Sequence, residues 1–570
     1  MRNFRLATIG LSALMLASCD GSATSNPVFE PVPANVSSVG VDTIPGQILV
    51  DMKDNVSESD IKELADSVGI TLSESNDVAH EYKYEAADVD PAKEDSVIAR
   101  LQSDSRVEHA EPMTKYHALF MPNDPMYKDQ WGMHRVGVES SYGMSCGAGV
   151  KVAVVDTGVR CMEAKGVTRL SDLAKCESGY DFTSNKPIAN DGNLHGSHVS
   201  GTIAQSTHNN LGGVGVAPCA TILPVKVLSD SGSGTSEGVA SGIRYAVDQG
   251  AQVINMSLGS DSPSDVIKDA VNYAHDKGVT VVCAAGNSGS KTGFPAGYKN
   301  AISVSAIDQN DTIAKFSSRG KIEVAAPGVG ILQQTICEDD PKSDGCYMSL
   351  NGTSMASPFS AGVASLIVSS GITDPDAVRA KMQSTADKKD DAKLYGAGIV
   401  RADSAVRSTL LSHAFMRVLA LFGILFFMRK SIKTEFVKSK LSMLGVVLGG
   451  FGVLPIAFLS ILPRLGAFRI VGEVLMRPVA EWDILFGMHK YMTLESFIPA
   501  TVLSLLLLGH NKARLFSGGF ALGAASLATQ AFISNDQFFV GGSFMMRALM
   551  AVTTVVCVYF AKAAFTAKKV

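Results

Sequence analysis

Residues 151–158 read Lys-Val-Ala-Val-Val-Asp-Thr-Gly, an apolar run that ends in a carboxylate and a glycine. Similar apolar runs occupy 253–256, 279–284 and 301–306, and helical patterns fill the connections between them. Strands that are apolar throughout and separated by helices are typical of a parallel sheet covered on both faces. We therefore predict an α/β domain over 123–408, with its functional residues where loops leave the strand ends.

Two further motifs follow the first along the chain. Residues 195–202 read His-Gly-Ser-His-Val-Ser-Gly-Thr, and residues 351–358 read Asn-Gly-Thr-Ser-Met-Ala-Ser-Pro. A serine hydroxyl is a poor nucleophile at neutral pH, so attack on an amide needs an imidazole to take its proton and a carboxylate to orient that imidazole. Each motif alone is also typical of a helix cap, a loop histidine or a turn. Their occurrence together, with Asp156, His195 and Ser354 in that order, indicates a catalytic triad.

The three motifs resemble the signatures of the subtilisin-like serine peptidases, or subtilases, in which the triad also has the order Asp, His, Ser. The resemblance implies an endopeptidase that works through an acyl-enzyme. Ser354 is then the nucleophile, His195 the base and later the acid, and Asp156 the group that orients His195. The resemblance aligns His195, and not His198, with the base of the family. His198 is therefore expected to have a structural role.

The resemblance extends to the oxyanion and substrate sites. Residues 284–289 (Ala-Ala-Gly-Asn-Ser-Gly) are similar to the segment whose asparagine amide stabilises the negative oxygen, so this role falls to Asn287, together with the backbone N–H of Ser354. An extended peptide is expected to bind as a strand between two backbone edges, above a roomy pocket for a large apolar side chain. The residues so assigned are Ser257, Leu258 and Gly259 for one edge, Gly232 and Gly234 for the other, and Ala284, Ala285 and Gly286 for the pocket.

A structural calcium ion is also implied by the resemblance. Residues 123–125 (Asn-Asp-Pro) and 208–212 (His-Asn-Asn-Leu-Gly) are similar to segments that hold calcium in many relatives, which makes Asp124 and Asn209 candidate ligands. Carboxylate and carbonyl oxygens suit this hard cation. Gly213 stands where a branched residue is usual. Catalysis itself is expected to need no cofactor.

The segment 43–118 predicts a small α+β unit of ferredoxin-like type. The order strand, helix, strand, helix, strand is assigned to 46–52, 57–68, 80–85, 94–102 and 107–112. Residues 45–50 and 106–112 resemble the two ends of the subtilisin propeptide, which implies an inhibitor that is removed by cleavage near 117–123. An unrelated small α+β domain is the alternative.

The first 42 residues predict export and a tether. Basic residues and an apolar stretch precede Leu16-Ala17-Ser18-Cys19, so 1–19 is assigned as a signal peptide. The four residues resemble a lipobox, which implies a lipoprotein; an ordinary signal peptide that contains a cysteine is the alternative. Residues 20–42 are rich in Pro and Ser without periodicity and read as a linker.

Seven of the nine cysteines lie in the α/β domain, which suits an oxidising compartment. Cys161 with Cys176 and Cys337 with Cys346 are our guessed disulfide pairs. The sequence does not fix the connectivity, and an odd number of cysteines leaves at least one thiol free.

Residues 409–570 predict a transmembrane domain of about five helices, because several apolar blocks there are long enough to cross about 30 Å of hydrocarbon. Basic residues follow the first, third and fifth blocks, so the positive-inside rule places those ends in the cytoplasm and the peptidase outside a bacterial cytoplasmic membrane. Helical spans exclude the bacterial outer membrane. The blocks lie near 410–428, 441–462, 491–509, 515–534 and 544–563.

The expected partners are protein or peptide substrates, the lipid bilayer and the chain's own propeptide. The net charge of −5 and the lack of a basic stripe exclude nucleic acid. Two other functions remain open: an idle binding or sensing module, and a transporter or membrane processing factor regulated by the peptidase. The sequence features that favour a transporter or processing factor are three polar residues within the apolar blocks, His413, Arg417 and Arg547. The complete triad favours the peptidase.

Overall fold

The computed structural model describes residues 43–74, 77–114, 122–164, 167–337, 340, 342–430, 439–451, 477, 511–534, 537 and 542–566. The predicted signal peptide at 1–19, the linker at 20–42 and the apolar block at 491–509 lie outside these residues, as does most of the expected cleavage segment. The chain forms two units, Met1–Ala118 and Leu119–Val570.

The first unit is a three-stranded antiparallel sheet with the first strand in the middle, β2-β1-β3. Its helix α1 begins at Glu58 after the N-cap residue Ser57, whose hydroxyl accepts from the backbone N–H of Asp60 in a capping box. The strand predicted at 80–85 is wrong. Residues 77–81 form a helical turn, and the chain leaves it through Lys83 at a left-handed φ of 56° before the strand begins at Tyr84. The elements are β1 (Thr43–Met52), α1 (Glu58–Val68), α2 (Asp77–Glu81), β2 (Tyr84–Asp88), α3 (Glu94–Gln102) and β3 (Val107–Thr114).

The second unit contains the predicted parallel sheet, which has seven strands in the order β10-β9-β8-β7-β4-β6-β5. Side chains of a strand alternate between its two faces. Val152 and Val154 of β4 accordingly enter one apolar core and Ala153 and Val155 the other, so both faces are covered. The strands are β4 (Lys151–Asp156), β5 (Tyr180–Asp181), β6 (Thr221–Lys226), β7 (Val253–Met256), β8 (Thr280–Ala284), β9 (Ala301–Ile307) and β10 (Val324–Pro327).

Helices surround this sheet, and a hairpin precedes the longest of them. The helices are α4 (Trp131–Val136), α5 (Val138–Tyr142), α6 (His195–Ala204), α7 (Ser236–Asp248), α8 (Asp265–Asp276), α9 (Thr353–Ser369), α10 (Pro375–Thr385) and α11 (Ala392–Tyr395). The hairpin pairs β11 (Ile331–Thr335) with β12 (Cys346–Leu350) and leads directly into α9.

The structure confirms both guessed disulfides, Cys161–Cys176 and Cys337–Cys346. A third disulfide joins Cys146 to Cys219. Cys283 is left as a buried free thiol, because the α/β domain has an odd number of cysteines. The third pair spans 73 residues of sequence, and neither cysteine stands in a motif that identifies its partner.

Four described helices form the tail, and three of them are long and apolar enough to cross a membrane: Ala402–Met428, Arg514–Ser534 and Phe544–Thr566. The second predicted block is described only as far as Phe451. Glycines let two of the helices approach closely, because a Cβ on Gly449 would lie 2.2 Å from the carbonyl oxygen of Phe520. The tail helices are α12 (Ala402–Met428), α13 (Lys440–Gly450), α14 (Asn511–Ser534) and α15 (Gly542–Thr566).

Candidate active site

Asp156 and His195 meet at the carboxyl end of strand β4. Asp156 is the last residue of β4, and His195 is the first residue of α6. The Nδ1 atom of His195 lies 2.7 Å from Oδ1 of Asp156, which is fully buried and also accepts from the backbone N–H of Thr157. Burial alone would lower the pKa of His195, but the charge and hydrogen bond of Asp156 outweigh it and raise that pKa. The pair therefore holds the imidazole ready to accept a proton at Nε2.

Ser354 shares a cleft of about 420 Å³ with His195 and Asn287. It is the second residue of α9, and the first N–H groups of a helix have no carbonyl partner four residues earlier within that helix. Its hydroxyl donates to the carbonyl oxygen of Ser257 at 3.1 Å. Catalytic hydrogen bonds commonly close only when substrate binds.

Asn287 is held by a residue that the sequence analysis missed. Thr353 donates to Oδ1 of Asn287 from both its backbone N–H and its hydroxyl, each at 2.9 Å. Since the amide oxygen is used in this way, the Nδ2 group is the part of Asn287 that can donate to a negative oxygen in the cleft. Thr353 precedes Ser354 in the third motif, but nothing in the sequence tells which neighbour its hydroxyl contacts.

A buried polar network supports the backbone of Ser354. The hydroxyl of Ser257 donates to the carbonyl oxygen of Ser354 at 2.8 Å and accepts from Asn255 at 3.0 Å. Ser357 in turn donates to Asn255 at 2.7 Å. All three supporting side chains are buried, where satisfied hydrogen bonds fix positions firmly. The network ties the end of β7 to the first turn of α9.

A second buried network fixes the start of α6, on which His195 stands. Asp191 accepts from the hydroxyl of Thr157 at 2.9 Å and from the backbone N–H of Ser197 at 2.9 Å. Thr157 accepts from the backbone N–H of Gly196 at 2.9 Å. Carboxylates are favourable at helix N-termini, and this one orients the helix that carries His195. Asp191 lies outside the three motifs and was missed.

His198 lies in the core and not in the cleft lining. Its Nε2 atom is 3.0 Å from the carbonyl oxygens of Ile331 and Met348, one on each strand of the hairpin. Burial lowers the pKa of His198 to about 4, so its imidazole is neutral and donates to the hairpin. These contacts support the structural role expected for it.

The expected substrate residues lie in three segments, and none of them is among the residues that line the described cleft. Ser257, Leu258 and Gly259 follow β7, and Ser257 contacts Ser354 as described above. Ala284 ends β8, and the N–H of Gly286 donates to Thr353 at 3.1 Å.

The facing loop contains Gly232 and Gly234 and lies between β6 and α7. Asn193, which lines the cleft, donates to the carbonyl oxygen of Asp230 in this loop. Further lining residues that the sequence analysis did not assign are Asn193, Leu194, Leu350, Asn351 and Met355.

The donor set near the two calcium-like segments fits a hard cation. Asp124 is 3% exposed and accepts from the backbone N–H of His208 at 2.8 Å. Asn209 donates to Asp172 at 2.6 Å, and Asp172 is fully buried. Burial raises the pKa of Asp172 to about 6, and the nearby charge of Asp124 adds to this effect. Two buried carboxylates beside an amide are oxygen ligands of the kind calcium takes, and Asp172 was missed.

Comparison with known proteins identifies two matching families along the chain. Residues 147–398 match the model described as Subtilase family, and residues 30–113 match that described as Fervidolysin N-terminal prodomain. The chain is 38% identical over 376 residues to the "Thermophilic serine proteinase" of Bacillus sp. (strain AK1), covering 65% of this chain and 89% of that protein.

Two further relatives match the central part of the chain. Thermitase of Thermoactinomyces vulgaris is 43% identical over 293 residues, which is 50% of this chain and 100% of thermitase. Subtilisin Savinase of Lederbergia lenta is 42% identical over 281 residues, which is 49% of this chain and 98% of that protein.

Proposed function

The chain belongs to the subtilase family of serine peptidases, and from this premise we propose that it hydrolyses peptide bonds through Ser354, His195 and Asp156. The observation that carries the proposal is the 2.7 Å hydrogen bond between His195 and the buried Asp156, in a cleft that Ser354 also lines. In this assignment Asn287 is the side-chain oxyanion donor. Residues 123–408 form the peptidase domain, and residues 43–118 form its propeptide.

The reaction follows from these positions. The Nε2 atom of His195 takes the proton of the Ser354 hydroxyl as its oxygen attacks the peptide carbonyl carbon, and Asp156 stabilises the resulting imidazolium. The carbonyl oxygen becomes negative and accepts from Nδ2 of Asn287 and the backbone N–H of Ser354. His195 then protonates the leaving amine, the C–N bond breaks, and an acyl-enzyme remains. Water, deprotonated by His195, releases the acid and restores Ser354.

The enzyme is proposed to mature by removing its own N-terminal unit. The match of residues 30–113 to a prodomain family supports this, because the propeptide directly precedes the peptidase. A cut near 117–123 would also separate the proposed lipidated Cys19 from the peptidase, so the mature enzyme would be held in the membrane by its tail alone.

Wild-type chain and Ser354→Ala, expressed side by side in a protease-deficient bacterium, test both self-maturation and the triad. We expect the variant to lose only its signal peptide and the wild type to run shorter than the variant by about 100 residues. Equal lengths in the two preparations would contradict self-cleavage through Ser354. Mass spectrometry of the new N-terminus locates the cut.

The proposed location is a bacterial cytoplasmic membrane, with the peptidase outside and protein substrates that are exported or lie next to the membrane. Three described helices support membrane insertion by length and composition. Arg429 and Lys430 follow α12 directly, and the positive-inside rule assigns that end to the cytoplasm. The peptidase at the other end of α12 is then outside.

Calcium is proposed to bind through Asp124, Asn209 and Asp172 and to stabilise the folded peptidase without taking part in catalysis. A ligand present at 100 times its dissociation constant stabilises by about 2.7 kcal/mol. Chelation is therefore expected to lower the Tm of the wild type by about 4–5 °C for a domain of this size. Calorimetry with chelator and after calcium is restored measures this shift.

Asp172→Asn supplies the matched control for the calcium proposal, because it removes one charge and keeps the shape. Its Tm is expected to respond to chelator and calcium by less than a third of the wild-type shift. An unchanged wild-type Tm, or equal responses in both proteins, would remove calcium from the account.

A further inference from the structure

Helix α12 begins as part of the peptidase core. Four residues in its first two turns are fully buried: Ala402, Ala405, Val406 and Thr409. Its start is held by Arg401, which contacts Asp387 at 3.2 Å and Asp403 at 2.8 Å. Lys381 of α10 donates to the hydroxyl of Ser408 at 3.2 Å. The first part of the helix therefore moves only with the peptidase.

The surroundings of this helix change from protein core to exposed surface within about one helical turn. Thr409 is fully buried, whereas Leu411 is 48% exposed and Phe415 is 63% exposed. Leu411 to Met428 is a stretch of about 18 residues, or about 27 Å of helix at 1.5 Å per residue. That length matches about 30 Å of hydrocarbon, so the bilayer surface lies close to residue 411. No linker separates the buried core from the span, because the helix is continuous from Ala402 to Met428.

Contacts inside the span hold the helix as well. The Nε atom of Arg417 donates to the side-chain oxygen of Gln530 of α14 at 3.1 Å, and its Nη1 atom lies 3.4 Å from the carbonyl oxygen of Gly450 in α13. Arg417 and Gln530 are both buried between the helices. A buried guanidinium with polar partners on two other helices opposes rotation of α12, since rotation would leave its charge unsolvated in lipid.

The proposed nucleophile is connected to this helix through helix–helix packing. Ser354 stands at the start of α9, and α9 packs directly on α12. The position of Ser354 relative to the bilayer surface is therefore set by rigid elements and not by a flexible linker. A Gly/Ser-rich linker, in contrast, would let the cleft sample many heights.

We propose that α12 is a rigid strut that holds the catalytic cleft at one height above the bilayer, so that the enzyme selects membrane-anchored proteins by the distance between cleavable segment and membrane. The proposal rests on the peptidase and membrane functions given above. Anchoring therefore adds a second recognition step. A substrate anchored in the same bilayer reaches the cleft only when the segment between its membrane anchor and its cleavage site spans that height.

Insertions between Ser412 and His413 test the strut, because this point separates the peptidase contacts of α12 from its membrane contacts. A helical insertion of seven alanine-rich residues raises the cleft by about 10 Å. It also preserves the orientation of the helix to within about 20° per seven residues. The matched control is a seven-residue Gly/Ser insertion at the same place, and the uninterrupted full-length chain is the reference.

The substrates are single-span proteins in the same proteoliposomes as the enzyme. Each carries one cleavable peptide on a Pro-rich spacer of graded length, because such spacers extend by about 3.1 Å per residue and stay stiff. For the reference enzyme we expect one optimal spacer length. The helical insertion is expected to lengthen that optimum by about three residues, and the Gly/Ser insertion to broaden it.

Identical spacer profiles for all three enzymes, or equal broadening by both insertions, would overturn the strut. If the seven-residue helical variant does not fold, a four-residue helical insertion, which adds about 6 Å, should shift the optimum by about two residues. Hydrolysis of a soluble peptide separates this proposal from the underlying one. Hydrolysis of the soluble peptide depends on Ser354 and should have the same rate in every folded insertion variant. If the reference enzyme and all variants fail to hydrolyse this peptide, the proposed peptidase function is refuted, and not the strut.

Discussion

His195→Ala is expected to lower kcat for peptide hydrolysis by about 10⁶-fold, and Ser354→Ala by about the same factor. The reason is that the two residues act as one unit: without the imidazole the Ser354 hydroxyl keeps its proton, and without the hydroxyl the imidazole has nothing to activate. The double variant is therefore expected to be no slower than either single variant. Steady-state assays with a chromogenic peptide measure all three.

Two controls make this result specific. A cleavage site for an unrelated protease, placed within 115–121, releases the N-terminal unit in every variant, so that retained propeptide is not mistaken for lost catalysis. His275→Ala removes a histidine on α8, which lies outside the lining of the cleft, and should keep wild-type kcat. Independent, multiplicative losses at His195 and Ser354 would show that they do not work together.

Asp156→Asn is expected to lower kcat by about 10⁴-fold while leaving the fold intact. The amide keeps the shape of the carboxylate but cannot hold the His195 ring in the tautomer that leaves Nε2 free to accept a proton. It also removes the charge that raises the pKa of His195.

The pH profile of kcat/KM provides a second readout of the same substitution. The base works when neutral, so activity is present above the pKa of His195 and is lost as the pH falls through it. In the wild type this acidic limb is expected above the ordinary histidine value of about 6.5. In Asp156→Asn the limb should move to lower pH. A limb at the same pH in both proteins would show that Asp156 does not act on His195.

The sequence predicted the features that depend on local pattern. The strand before Asp156 and the helix predicted over 57–68 are encoded within a few residues, so both were predicted correctly. The proposed triad residues were predicted because each stands in a short motif. That Asp156 lies beside His195, and that Ser354 shares a cleft with it, follows from the parallel sheet, which brings strand ends to one edge.

Features that depend on contacts between distant segments were missed. Thr353 and Asp191 position the proposed catalytic groups through hydrogen bonds that no local pattern reports. Asp172 meets Asn209 across 37 residues of sequence. The boundary expected at residue 408 was drawn where the sequence turns apolar, yet α12 continues through it, because a helix can exchange protein neighbours for lipid without a change in its backbone.

The most direct test of the central claim is covalent labelling of the membrane-held enzyme with a fluorophosphonate, which reacts with an activated serine hydroxyl. We expect one label per wild-type chain, located by peptide mass spectrometry on Ser354, and almost none on His195→Ala under the same conditions. Labelling at a different residue, or equal labelling of Ser354 with and without His195, would contradict the account of an imidazole-activated nucleophile.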